Sequence, residues 1–242
     1  MDTEYGQIYE ELYHRHWWFR VREGILVDVI RCLDLPRPAE ILDVGCGNGL
    51  FFGKLGLFGT VRGIEIDGSL IPSDSAYRDR IFDKPLGDPQ YSAFRFDLIT
   101  ALDVIEHIED DHRAVSDMLA MLRPGGKLVI TVPASMKLWD RHDEINRHYR
   151  RYTYDTLRTL LAGKGDLLEL RHLFHALFLP KLAVRTFNRS FQGDAAQHAI
   201  PAAWINRGME TACWLEYRAL RVLRIPFGTS LLAVLEKPKG SA

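Results

Sequence analysis

The stretch ILDVGCGNGLFF, Ile41 to Phe52, restricts this chain more than any other: an apolar run ends in three alternating glycines, Gly45, Gly47 and Gly49. Such a run reads as a buried strand turning sharply toward a helix, with backbone amides left uncovered where side chains would otherwise stand. The segments that follow extend the pattern. Val61 to Ile66, Phe96 to Leu102 and Lys127 to Val132 are apolar on both faces, as is Ile41 to Val44, and helix-length connections separate them. Together they predict an α/β fold, a doubly wound and mostly parallel sheet buried under helices on both sides. Pro124, Gly125 and Gly126 predict a tight turn into the run from Lys127. Gly228 to Glu236 reads as a last strand, paired with a run near Leu167 to Leu173.

Glu65 closes the second strand about twenty residues after the turn, the spacing at which a carboxylate reaches the two hydroxyls of a ribose bound across the first. The implied ligand is a nucleoside. A dinucleotide fingerprint needs a small sixth residue, and Leu50 stands there instead, which weighs against an NAD-linked oxidoreductase. A bare turn without any ligand is the plain alternative, and the pairing of Asp43 with Glu65 weighs against it.

Four stretches in order, covering about Glu40 to Pro133, resemble the class I S-adenosylmethionine-dependent methyltransferases. LDVGCGNG resembles their first motif, GIEID the acidic second-strand motif, FDLITALDVIEHI the fourth-strand motif and LRPGGKLVITVP the fifth. The resemblance implies a seven-stranded Rossmann-like sheet and S-adenosylmethionine as cofactor, with S-adenosylhomocysteine as product. It implies that the amides around Gly45, Cys46 and Gly47 face the methionine part and that Glu65 holds the ribose hydroxyls; Asp43 and Ile66 are further cofactor-binding candidates. Leu102 or Asp103 would lie beside the amino-acid end, and Asp83, in preference to Asp88, near the adenine. HRHWWFRVR resembles the initial helix of a small-molecule subgroup, which would pair Arg22 with the methionine carboxylate; otherwise Trp17, Trp18 and Phe19 are core and Arg22 is a solvated charge. The whole is expected to be one domain: a helical cover over 1–38, a cofactor-binding core over 39–174, a helical insertion or lid over 175–227 and the last strand at 228–238. Within the cover, helical spacing joins Tyr5, Ile8, Tyr9, Leu12, Tyr13 and His16, and a second helix runs from Glu23 to Leu35 before Pro36 and Pro38.

Methyl transfer from a sulfonium is an in-line displacement, so the protein must hold a nucleophile behind the methyl carbon and, for a hydroxyl, accept its proton. His107, after the fourth strand, and His148 are the candidate catalytic residues. WDRHDEINRHYRRYT, Trp139 to Thr153, is the candidate substrate segment through His142, His148 and Tyr149. His142, Asp143 and His148 match no recognised metal spacing, and no metal is expected. Arg147, Arg150 and Arg151 read either as a solvated basic face or as helix partners.

Other function classes fare less well. The 31 lysines and arginines nearly balance 32 aspartates and glutamates, so no basic footprint predicts nucleic acid as a partner. Three dispersed cysteines suit a reducing compartment; with no secretory signal and no transmembrane run in the pattern, the protein is expected to be cytoplasmic. Between Arg171 and Ile225 eight basic residues meet three acidic ones, among apolar stripes at helical spacing. Burial against the domain, a lid over an apolar or anionic small-molecule substrate, a homodimer surface and peripheral contact with an anionic membrane all suit that segment. The expected function is methyl transfer to a small molecule; a catalytically silent cofactor-binding or scaffolding protein is the alternative.

Overall fold

The computed structural model describes residues 10–187, 200–223 and 225–239. Tyr5, Ile8 and Tyr9 of the first apolar stripe, with Arg189, Asp194 and Arg224 of the basic segment, lie outside the described residues. A seven-stranded sheet runs in the order β3-β2-β1-β4-β5-β7-β6, with β1 at Ala39–Val44, β2 at Gly59–Ile64, β3 at Ile81–Phe82 and β4 at Phe96–Leu102. The last three strands are β5, Leu122–Pro133, β6, Asp166–Leu173, and β7, Ser230–Glu236. All pairings through β5 are parallel, and β7 enters antiparallel between β5 and β6.

Alternation along the buried strands produces two cores, because successive side chains point to opposite faces. Leu42, Val44, Ile99, Ala101, Leu128 and Ile130 pack one face against α3, Asp111–Met121, and α5, Tyr154–Leu161. Ile41, Leu98, Val129, Leu232 and Val234 pack the other against α1, Trp17–Arg31, and α7, Ala203–Leu220. Between these, α2 is a single turn at Phe52–Leu55, α4 spans Arg141–Ile145 and α6 Phe178–Phe187. The buried face of α1 is Val21, Ile25, Leu26, Val29 and Ile30, each contributing about 1.5–3 kcal/mol by leaving water.

Three local differences from the sequence expectation have physical causes. Helix α1 starts at Trp17, taking in the aromatic tract, because its first amides find acceptors: Asn206 Oδ1 for Trp17 at 2.9 Å and His16 Nδ1 for Trp18 at 3.2 Å. The Pro124-Gly125-Gly126 turn is absorbed into β5 as an irregularity, since β4 pairs Phe96 with Leu122 and then Leu98 with Lys127 while Gly125 takes φ 78°. Strand β3 is only two residues long, too short to leave a pattern in sequence. The segment after β6 does not stand apart from the rest: α7 packs on α1, joined by Arg20–Glu210 at 3.1 Å and Tyr217 Oη to Asp28 Oδ2 at 3.0 Å. In consequence α1 is held over the carboxyl ends of β1 and β4, the switch point where open α/β sheets bind ligands.

Candidate active site

Two adjoining cavities open at that switch point. One of about 300 Å³ is lined by Tyr13, Arg22, Asp43, the Gly45–Asn48 turn, Glu65, Leu102, His107 and Asn146. The other, of about 570 Å³, lies against Ile66, Pro85, Leu86, Asp103, Val104 and Arg113, and shares Gly45, Glu65, Leu70 and His107 with the first. Each volume lies in the range usual for small-molecule sites.

The glycine turn shapes the first cavity. Gly45 has φ 67°, and a Cβ there would stand 2.6 Å from Val104; Gly47 has φ 55° with nothing within 4 Å of where a Cβ would be. The amides are not the groups left bare: Gly45 and Cys46 donate to Ile64 O at 2.8 and 3.2 Å, and Gly47 donates to Glu65 Oε2 at 3.0 Å. What the turn leaves open is the Cα side of Gly47, while Val104 fills that of Gly45. Glu65 receives a second bond, at Oε1 from the Asp67 amide at 2.9 Å, and is thereby fixed in the wall between the cavities. Asp43 accepts from Thr100 Oγ1 at 2.6 Å, and burial pushes its pKa up to about 7 against the opposing effects of that bond and of Arg22. Burial likewise pushes up the Cys46 thiol, which stays protonated and inert.

Across the cavity, Arg22 reaches down from α1 to Asp103 Oδ2 at 2.7 Å and Thr131 Oγ1 at 3.3 Å, and lies over the Trp18 ring at 5.4 Å. Asp103 takes φ 58°, and its backbone N–H donates a hydrogen bond to Thr131 O at 2.9 Å. Arg22 is therefore not a solvated charge.

The segment after β5 folds back onto the turn after β4. Tyr149 N donates to Glu106 O at 2.8 Å, and Tyr152 and Arg150 both reach Asp111 Oδ2 at 2.7 Å. Asp140 and Asp143 form a capping box that starts α4. Fully buried, Asp143 also receives His148 Nδ1 at 2.7 Å and Arg151 Nε at 2.8 Å. Burial alone would raise its carboxyl, but these bonds together hold it well below the usual carboxylate range. The His107 ring meets His148 edge-on at 4.4 Å, with its Nδ1 2.9 Å from Asn146 O. Partial burial, then the neighbouring imidazole, lowers its pKa, so His107 is neutral at pH 7.

A methyltransferase domain family matches residues 17–172, well over half of the chain. The chain belongs to that family. It is 31% identical over 122 residues to the ubiquinone biosynthesis O-methyltransferase of Coxiella burnetii, a match covering 48% of this chain and 47% of that protein. To the trans-aconitate 2-methyltransferase of Deinococcus radiodurans it is 27% identical over 138 residues, covering 55% and 51%. The chain thus spans about half the length of the curated relatives it matches. A SAM-dependent methyltransferase from Archaeoglobus fulgidus shares the fold at a TM-score of 0.59 and 14% identity, over 98% of this chain and all of that one. SpnF, a [4+2]-cyclase, shares it at a TM-score of 0.59 and 19% identity, over 97% and 95%.

In this methyltransferase domain Arg22, Asp43, Gly45, Cys46, Gly47, Glu65 and Leu102 share one cavity, and Ile66 and Asp103 line its neighbour. Asp83 follows β3 but stands exposed, 4.0 Å from Lys84, with Pro85 and Leu86 nearer the cavity, and Asp88 caps the next turn. His107 and His148 meet, while the His142 ring is 6.4 Å from His148 and the Tyr149 side chain is exposed. Arg150 and Arg151 pair with buried aspartates and Arg147 is exposed, so the arginine run divides between the two readings. Tyr13, Asn146 and the burial of Glu106 escaped the sequence reading. Tyr13 carried a weak signal as one of three tyrosines in an apolar stripe; Asn146 carried none. No helix among the described residues is long and apolar enough to cross a membrane.

Proposed function

We infer that this methyltransferase domain takes the methyl group of S-adenosylmethionine and passes it to a hydroxyl oxygen of a small molecule. The observation that carries the inference is Glu65, whose carboxylate is fixed by two amides in the wall common to both cavities and keeps a lone pair on each oxygen for a ribose hydroxyl. The methionine end would then lie against the open Cα side of Gly47, with its ammonium toward Asp43 and its carboxylate toward Arg22. The adenine would lie in the second cavity beside Ile66 and Leu86, with Asp83 outside its lining. Leu102 and Asp103 flank the amino-acid end.

His107 and His148 stand at the acceptor end, and His142 and Tyr149 border it. With Nδ1 of His148 tied to Asp143, its Nε2 lone pair is the proton acceptor. The acceptor hydroxyl would give its proton to that nitrogen as its oxygen attacks from the side opposite sulfur. Bound S-adenosylmethionine would supply the methyl group, its sulfur keeping the electron pair of the broken carbon–sulfur bond as S-adenosylhomocysteine. Oxygen is favoured as acceptor by the O-methyltransferase among the relatives, and a small acceptor by the size of the cavities.

Calorimetric titration with S-adenosylmethionine, S-adenosylhomocysteine and NAD tests the cofactor. The first two are expected to bind and NAD is not, and Glu65→Ala should weaken both at least tenfold, about 1.4 kcal/mol. Unchanged affinity in that variant rejects the ribose contact; absence of binding by the wild type rejects the cofactor.

A further inference from the structure

Under the acceptor end lies a carboxylate that the reaction above does not use. Glu106 is 0% exposed, and among the described residues neither of its carboxylate oxygens has a hydrogen-bond partner. The two nearby guanidinium groups are engaged elsewhere, Arg22 with Asp103 and Arg151 with Asp143. A buried carboxylate in that position requires a proton or a cation, since an isolated charge there costs several kcal/mol. One ligand atom of Glu106 and one from each of His107 and His148 all lie within 4.8 Å of one another.

Both imidazoles are already oriented. Nδ1 of His107 faces Asn146 O and Nδ1 of His148 faces Asp143 Oδ1. A carbonyl and an ionised carboxylate only accept, so each Nδ1 carries the proton and each Nε2 keeps its lone pair. Metal-binding histidines are held in the same way, one ring nitrogen on an oxygen and the other on the ion.

We propose that Glu106, His107 and His148 bind one divalent first-row cation of the zinc type, with an open position toward the acceptor. Two imidazole nitrogens and one carboxylate oxygen are the ligand set of three-ligand zinc sites that keep a place for water or substrate. Bonds of about 2.0–2.2 Å bring tetrahedral ligand atoms to roughly 3.3–3.5 Å from one another. The three side chains therefore draw together on binding, and exposed His107 has the room to move. The proposal rests on the methyl transfer to oxygen inferred above and changes the role of His148 within it from base to ligand: the ion holds the acceptor's hydroxyl oxygen and favours its ionised form, the proton leaving to water.

The test uses the untagged full-length chain, freed of metal by chelation and titrated with Co²⁺ alone, followed by visible absorption and by displacement with Zn²⁺. One Co²⁺ per chain with low-symmetry d–d bands is expected, bound at least tenfold more weakly by His107→Ala, His148→Ala and Glu106→Gln. Urea denaturation of each variant shows that the domain is still folded, and exposed His107 supplies the variant least able to disturb the fold. No stoichiometric Co²⁺ binding by the wild type, or undiminished binding by folded His107→Ala, overturns the proposal. Homocysteine-nucleoside binding without Co²⁺ binding overturns the ion site and keeps the cofactor; Co²⁺ binding without either nucleoside keeps the ion site and overturns the cofactor.

Discussion

Asp43 and Asp143 are both buried, one at each end of the same crevice, and their surroundings are opposite. Asp43 closes β1 with Thr100 as its side-chain partner, and its pKa is pushed up to about 7 by burial. Asp143 sits in the first turn of α4 with an amide, an imidazole and a guanidinium on its two oxygens, and its carboxyl is held well below the usual range. The cofactor end is thus left short of positive charge, which suits a cationic ligand. At the acceptor end Asp143 is compensated by its own neighbours, so the His148 imidazole is oriented before any ligand arrives, while Glu106 beside it is left uncompensated.

Removing each carboxylate should separate the two roles. Asp143→Ala strips the counter-charge from buried Arg151 and is expected to cost about 3–5 kcal/mol, read as a fall in urea midpoint at unchanged m value. Asp43→Asn at pH 8 replaces a poorly compensated charge with a neutral group and should leave stability unchanged or higher. Losses of equal size in the two variants would dissolve the contrast. The pH sign follows from the depressed carboxyl of Asp143: its stabilisation is present above the unfolded value of about 3.9 and is lost as acid protonates the folded group.

The next effect concerns turnover alone. His148→Ala should lower methyl transfer about 100-fold, the scale of one general base, while S-adenosylhomocysteine affinity stays within about twofold. Steady-state kinetics beside calorimetry decides this; wild-type turnover would remove His148 from the chemistry, and a matching loss of affinity would mean that the two ends are not independent.

The same division governs what could be read from sequence. The cofactor end is written in local signals: the apolar strands, the glycine turn and Glu65 each sit where spacing puts them, and the last two strands pair as their runs suggest. Even there the direction of the Gly45 and Cys46 amides was not legible, because it depends on the neighbouring strand's Ile64. The acceptor end is written in contacts between distant turns. Nothing local brings Asn146 to His107, seats Glu106 without a partner or places Arg22 on Asp103. A capping box is a local signal, yet Asp140 and Asp143 stood among so many polar neighbours that their cap could not be separated from a substrate cluster.

The smallest expected effect bears most directly on why Asp43 is left under-compensated. S-adenosylmethionine carries a sulfonium and an ammonium, and binding it beside an ionised carboxylate lowers that carboxyl's pKa. By linkage, affinity then rises with pH up to the free protein's value of about 7 and is flat above it. Each pH unit below the plateau should cost up to about tenfold until the bound-state pKa is reached, when the dependence ends. S-adenosylhomocysteine, lacking the sulfonium, should show a shallower slope, and Asp43→Asn should flatten both. Calorimetry of the two ligands between pH 5.5 and 8, with buffers of differing ionisation enthalpy to count the proton released, separates the outcomes. A wild-type slope that survives Asp43→Asn would mean that another group titrates, and that Asp43 is as fully compensated as Asp143.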